Sequence, residues 1–224
     1  MINHSNFDNA LPSLAAAACL VGPCVMVLSD ILTIVLNNKT DPIAQTISGY
    51  AIGPYGWLEK IGMAMVATSF FLIGLNLIKV QYKRKFRLMG ICGYLFVIAA
   101  FGFLMTSLFN TNVTDNISTI HGEIHRLSLI ISSLSFYPSC LLLMRLMIKK
   151  PGLSYFGAYS GFTFLIGLAV LAWLFFSYDR TGYLGLTERV LAGFSLLWIV
   201  FVGPKVVRLR KSFATVQPSV VEKE

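Results

Sequence analysis

Charge is what this sequence has least of. Asp, Glu, Lys and Arg make up 12% of its 224 residues, about half the share of a soluble domain. Against that stand 56% hydrophobic residues and a mean hydropathy of +0.72. A soluble fold has no interior large enough to hide so much apolar surface, so that class is excluded. Cysteine is also scarce. Cys19, Cys24, Cys92 and Cys140 show no C-x-x-C spacing, so neither a structural zinc site nor an iron–sulfur cluster is expected. Histidine occurs three times, at His4, His121 and His125. A bis-histidine haem needs a ligand on each of two facing helices, and His4 lies in the N-terminal tail, so haem is not expected. Residues 1–12 hold no Lys or Arg, and no small-residue cleavage site follows the first apolar run. A cleaved secretory signal is therefore not expected.

What the sequence does have is long apolar runs. A spanning helix needs roughly 20 mainly apolar residues. Six segments qualify, at Ser13–Leu36, Trp57–Ile78, Leu88–Phe109, Ile124–Met147, Leu153–Tyr178 and Val190–Val207. They are too long and continuous for the alternating strands of about 10 residues that build a membrane barrel. The expected fold is all-α, an integral membrane bundle of six transmembrane helices. It divides into a short tail at 1–12, a membrane domain at 13–208 and a C-terminal tail at 209–224. Gly157 and Gly161 have the small-xxx-small spacing of close helix packing. Gly22-Pro23 and Gly203-Pro204 mark expected kinks.

The cations fix an orientation. The net charge of +8 comes from 18 Lys and Arg against 10 Asp and Glu. Thirteen of those cations fall on one side: Lys79, Lys83, Arg84, Lys85 and Arg87; Arg145, Lys149 and Lys150; Lys205, Arg208, Arg210, Lys211 and Lys223. The positive-inside rule places them, and with six spans both termini, in the cytoplasm. The expected location is the plasma (inner) membrane. The partners are the lipid bilayer and, on the cytoplasmic side, anionic headgroups. Nucleic acid is not expected. Asp30, Asp41, Glu59, Asp115, Glu123, Asp179 and Glu188 all fall on the opposite, outer side. Polar loops need such residues for solvation, but the clustering also draws attention to that face.

The fourth span carries a polar seam. His121, His125, Ser128, Ser132, Ser135 and Ser139 recur at steps of three and four, which keeps them on one helix face. Small residues and serines commonly serve helix packing, each hydroxyl bonding to the i−4 carbonyl. Two histidines at i and i+4 also form a two-ligand face for a divalent metal such as zinc. His121-Gly122-Glu123-Ile124-His125 is not the zincin H-E-x-x-H, because Glu123 is displaced one position. A serine-hydrolase G-x-S-x-G elbow is absent too. Asp30 lies within the first span, where an ionisable group is costly unless paired and so marks a candidate site. Glu188 opens the sixth span, where an acid also suits the helix N-terminus. Asp30, His121, His125 and Glu188 together are a candidate composite site. Three sequons, at Asn38, Asn112 and Asn116, fall in outer loops and would matter only in a glycosylating host.

The first outer loop runs Asp41-Pro42 through Gln45, Thr46 and Ser48 to Gly53-Pro54-Tyr55-Gly56-Trp57. It begins extended before its proline, turns at Gly53-Pro54 and ends on an interfacial aromatic. The D-P-x-x-x-x-I-S and G-P-Y-G-W strings, the later T-I-H-G-x-x-H and the G-L-T-E-R before the sixth span resemble the prokaryotic membrane family catalogued as domain of unknown function 998. The resemblance implies a six-helix prokaryotic protein with motif residues on the outer face, here Pro42, Ser48, Gly53, Gly56, His121, Glu188 and Arg189. Where that family commonly has Asp after the serine, this chain has Gly49.

Three functions follow. The first is a membrane protein that binds a small ligand or lipid in a polar cavity open to the outer face, using Asp30, Ser48, His121, His125, Ser128, Ser132, Glu188 and Arg189. The second is a metal-dependent hydrolase with His121 and His125 as ligands. The third is a small proton-coupled carrier using the seam on the fourth span.

Overall fold

The computed structural model describes residues 4–38, 40–79, 87–112, 118–177 and 182–214. Lys83, Arg84, Lys85, Asp115, Asn116, Asp179 and Lys223, which entered the charge and sequon reading, lie outside the described residues, as do Lys39 and Arg180, two of the five cations not placed on the basic side. Among those described there are eight helices and no strand: α1 His4–Leu36, α2 Ile47–Tyr50, α3 Gly56–Ile78, α4 Arg87–Leu108, α5 Ile120–Met147, α6 Ser154–Ser177, α7 Leu184–Phe201 and α8 Gly203–Ala214. Six stretches are long and apolar enough to cross a membrane, the last running from Leu184 to Leu209 through α7 and into α8.

The expected spans and the helices agree closely in the middle of the chain and differ at its ends. α1 begins at His4, well before its apolar stretch. α7 begins at Leu184, so Glu188 and Arg189 lie inside the first turns of the last span rather than in front of it. The two expected kinks also differ. α1 runs unbroken through Pro12 and Pro23, whereas the last span is interrupted at Val202, where α8 restarts at Gly203-Pro204. Proline is tolerated at the first turn of a helix because its missing N–H would have no partner there.

The spans close into a ring. α1 packs on α3, α3 on α4, α4 on α5, α5 on α6, α6 on α7, and α7 returns to α1. Outward faces stay apolar: Val35, Leu134 and Leu165 are all more than 60% exposed. Water would penalise such a surface, whereas lipid tails accept it. The interior is filled by aromatic rings from four spans. Phe70 lies 5.8 Å from Phe96 and 5.1 Å from Phe136, and Trp198 lies 5.4 Å from Phe96 and 5.5 Å from Phe136. The Trp198 indole N–H donates to Ser160 Oγ at 2.9 Å. Tyr137 Oη pairs with Ser195 Oγ at 3.2 Å.

Glycines set the closest helix approaches. A Cβ on Gly74 would meet Gly93 O at 2.8 Å, and a Cβ on Gly93 would meet Gly74 O at the same distance. α3 and α4 therefore touch backbone to backbone, the geometry that small residues permit in membranes. Gly157 and Gly161 both face α5, against Ile148 and Met144. Gly93→Val is expected to push α3 and α4 apart and to cost about 1–3 kcal/mol, the usual penalty of overpacking. Thermal unfolding in detergent reads this directly; an unchanged midpoint would refute the contact.

Candidate functional site

Consecutive spans alternate in direction. The C-terminal ends of α1 and α4 therefore share one end of the bundle with the N-terminal ends of α3, α5 and α7. This is the acidic end. The loop from Asn37 to Tyr55 lies there, and its sequence dictates its shape. Asp41 Oδ1 accepts from the Ile43 N–H at 2.9 Å, an Asx-type turn around Pro42. Thr46 caps α2, its side chain accepting from Gly49 N–H at 2.9 Å. Gly56 sits against the backbone of Ala51, where any Cβ would collide, whereas Gly53 has only ordinary contacts at 3.6 Å. Of the two motif glycines, Gly56 is the one whose missing side chain the packing requires.

This loop is fastened to α7. The first N–H groups of a helix lack internal partners. Here Gly185 N–H donates to Ala44 O at 3.3 Å and Leu186 N–H to Ile43 O at 2.9 Å. Gly185 lies against the carbonyls of Gln45 and Pro42, with no room for a Cβ. One turn further in, Arg189 acts as a five-bond clamp. Its Nε and Nη2 form a fork on Asp30, at 3.0 Å to Oδ2 and 2.8 Å to Oδ1. Its Nη1 donates to Pro42 O at 2.7 Å, Gln45 O at 2.8 Å and Gly185 O at 3.2 Å. The guanidinium also lies 5.5 Å from the centre of the Tyr50 ring. A planar fork suits this bidentate task in a way an ammonium does not. Glu188 reaches across as well: its Oε2 accepts from the Ile47 N–H at 2.8 Å, at the start of α2. Its role is thus to hold the loop helix as well as to sit near the start of its own helix.

Ser48 is buried in the same cluster, its Oγ 3.4 Å from Thr46 Oγ1. The space a side chain on Gly49 would take is occupied by the Gln45 amide and the Thr46 hydroxyl. Beneath the clamp lies a residue that sequence reasoning counted only as an outer acid. Glu59 is fully buried, and neither of its carboxylate oxygens has a hydrogen-bond partner. Asp30, Arg189 and the Thr33 hydroxyl are its electrostatic neighbours. The signal for it was its phase: Glu59, Gly62, Met63, Val66, Phe70 and Ile73 form one buried face of α3.

The histidines lie elsewhere, at the junction of α4 and α5. His125 is 4% exposed, and its Nδ1 is 2.7 Å from Phe109 O. Because a carbonyl only accepts, Nδ1 carries the proton, and the buried Nε2 has no partner. His121 is exposed and packs its ring on Phe109 at 5.4 Å. Around them Thr119 caps α5 by accepting from Gly122 N–H at 3.0 Å. Asn112 Oδ1 accepts from both the Thr119 N–H and its hydroxyl, at 3.0 and 2.9 Å. Gly122 lies directly against that amide. The T-I-H-G segment therefore joins α4 to α5. The four-residue composite divides: Asp30 and Glu188 meet, with Ser48 and Arg189, under the loop, while His121 and His125 stay at the other junction. Among the described residues no three His, Cys, Asp or Glu side chains gather to hold a metal ion. His125→Ala is expected to cost about 1–3 kcal/mol by leaving the Phe109 carbonyl unsatisfied. His121→Ala is expected to stay within about 0.5 kcal/mol. Thermal unfolding distinguishes the two, and elemental analysis of the same samples reads whether metal leaves with either ring.

The seam on α5 is mostly self-satisfied. Ser132, Ser135 and Ser139 each donate to the carbonyl four residues back, at 2.8 Å. Ser132 also reaches Ala99 O at 3.3 Å, and Gly102 packs directly on it. Ser128 is buried on the same face.

A ring of six apolar spans with a clamped loop at one end defines a multi-pass integral membrane protein. The family model described as protein of unknown function (DUF998) matches residues 20–204, nearly all of the membrane domain. The chain belongs to that family. Neither a curated protein nor a solved structure matches it.

Proposed function

We propose that this protein binds a small polar ligand or lipid headgroup at the acidic end, under the loop of residues 37–55. The positive-inside rule orients that end toward the outer face of the plasma (inner) membrane. Both termini and the basic loops then lie in the cytoplasm, against anionic headgroups. The observation that carries the reading is the Arg189 clamp. One guanidinium joins a carboxylate inside a span to the carbonyls of a loop. The loop's position therefore depends on an ion pair that a charged or strongly hydrogen-bonding ligand can exchange. Asp30, Ser48, Glu188 and Arg189 are the proposed contacts.

The other readings draw less support. The carrier reading needs a polar path along α5, but its serines bond to their own helix and the ring's centre is filled by aromatics. The hydrolase reading needs a third metal ligand or a second functional group near His121 and His125. The ligand reading is tested by denaturing detergent-purified protein and analysing what is released. A small molecule or lipid is expected near one per chain, reduced in Ser48→Val. Equal and trace-level release from both proteins would sink it.

A further inference from the structure

We propose that Glu59 and Asp30 together hold one bound monovalent cation, a proton or an alkali-metal ion, between α1 and α3 at the acidic end. The argument starts from an imbalance of charge. Asp30, Glu59 and Glu188 bring three carboxyl groups to one arginine. Arg189 spends its fork on Asp30 and its remaining donors on backbone carbonyls. Glu188 is compensated in part by the Ile47 N–H. Glu59 has less: it is 0% exposed, neither of its oxygens has a hydrogen-bond partner, and the Arg189 charge that reaches it is already engaged with Asp30. A bare carboxylate in such a place, inside a membrane span, is among the costliest arrangements a protein can adopt.

Among the described residues, the neighbouring elements supply no second compensating charge. α1 brings Asp30, with Ser29 and Thr33 buried beside it. It is pressed onto α3, a Gly62 Cβ meeting Met26 Cα at 3.0 Å. α7 brings Glu188 and Arg189, and α2 brings Tyr50, whose ring faces Arg189. α4 carries one cation, Arg87, at its far end, and has Cys92 and Tyr94 in the half nearer that end. α8 packs at the opposite end of α3. Lys60 follows Glu59 on α3 but is turned about 100° around the helix. On this count of the described residues, the positive charge that Glu59 lacks is supplied by a bound one. Two carboxylates and the Thr33 hydroxyl are hard oxygen donors, suited to a proton shared between the acids or to an alkali ion, and not to a soft metal. The proposal is independent of the ligand reading, because Glu59 needs compensation whether or not a ligand enters under the loop.

The test compares wild type with Glu59→Gln in detergent. Thermal midpoints are measured against sodium, potassium or lithium chloride, with choline chloride holding ionic strength constant, and separately against pH. With an alkali ion, the wild-type midpoint rises saturably by several degrees and the Gln variant stays flat. With a proton, the folded state holds a proton that the unfolded state releases. Stability is then present at low pH and lost as pH rises, again only in wild type. If both proteins respond alike to cations and to pH, the proposal fails. If Glu59→Gln does not fold, wild type alone decides. A protonated-carboxyl band in its infrared spectrum, or saturable binding of radioactive sodium, supports the site; the absence of both overturns it.

Discussion

Arg189→Met is expected to lower stability by about 3–5 kcal/mol, the cost of leaving a buried charge without its partner. In a chain of this size that corresponds to a fall of roughly 6–20 °C in thermal midpoint. The loss has two parts. Asp30, with its side chain only 16% exposed, loses the one arginine paired with its carboxylate. The carbonyls of Pro42 and Gln45 lose their donor. Arg189→Lys should recover only part of this, since one ammonium cannot grip both carboxylate oxygens and reach two carbonyls. Asp30→Leu combined with Arg189→Met should be more stable than Arg189→Met alone, because removing both charges removes the orphan. Limited proteolysis across residues 37–55 supplies a second readout: cleavage should become faster in Arg189→Met. A variant as stable and as protease-resistant as wild type would mean that the clamp does not hold the loop.

Trp198→Ala should be of similar size, about 3–5 kcal/mol, for a different reason. Trp198 is fully buried at the ring's centre. It stacks on Phe96 and meets Phe136 edge-on, at 5.4 and 5.5 Å. Its removal leaves a cavity between α4, α5 and α7 that rigid helices can only partly close. Trp198→Phe should fall in between. It keeps most of the ring but takes the indole N–H from Ser160 Oγ, whose own proton is already given to Phe156 O at 2.8 Å. Unfolding midpoints and the near-ultraviolet circular dichroism of the aromatic cluster should order the three proteins wild type, Phe, Ala. An Ala variant as stable as wild type would show that the centre is not packed as described.

The spans were readable because lipid imposes a simple rule, a run of some 20 residues without charge. Five of the six expected runs coincide with a single long helix, and the sixth falls on α7 and the start of α8. What the rule does not see is a charge tolerated inside a span because of a partner far away in sequence. Asp30 was marked as costly on its own, and Glu188 and Arg189 stood out through the motif they share. That Arg189 answers Asp30 depends on α1 and α7 being neighbours, which no local pattern encodes. Glu59 was missed for a related reason. Beside Trp57 and Lys60 it reads as an interfacial acid, and only its phase with Gly62, Met63 and Val66 gives it an inward position. The i, i+4 spacing of the histidines suits a two-ligand metal face, and it suits equally one ring bonding a neighbouring carbonyl and the other stacking outside it, which is the arrangement the structure has.

The closure of the ring has a consequence for how the protein is made. Asp30 and Arg189 are 159 residues apart. At a synthesis rate of about 5–20 residues per second, α1 waits roughly 10–30 s for the helix that neutralises its carboxylate. During that interval the nascent chain is an open arc of helices with an unanswered acid near one edge. Assembly is therefore completed by its last span, and a chain stalled before Arg189 emerges should be a substrate for the membrane quality-control proteases rather than a smaller working bundle.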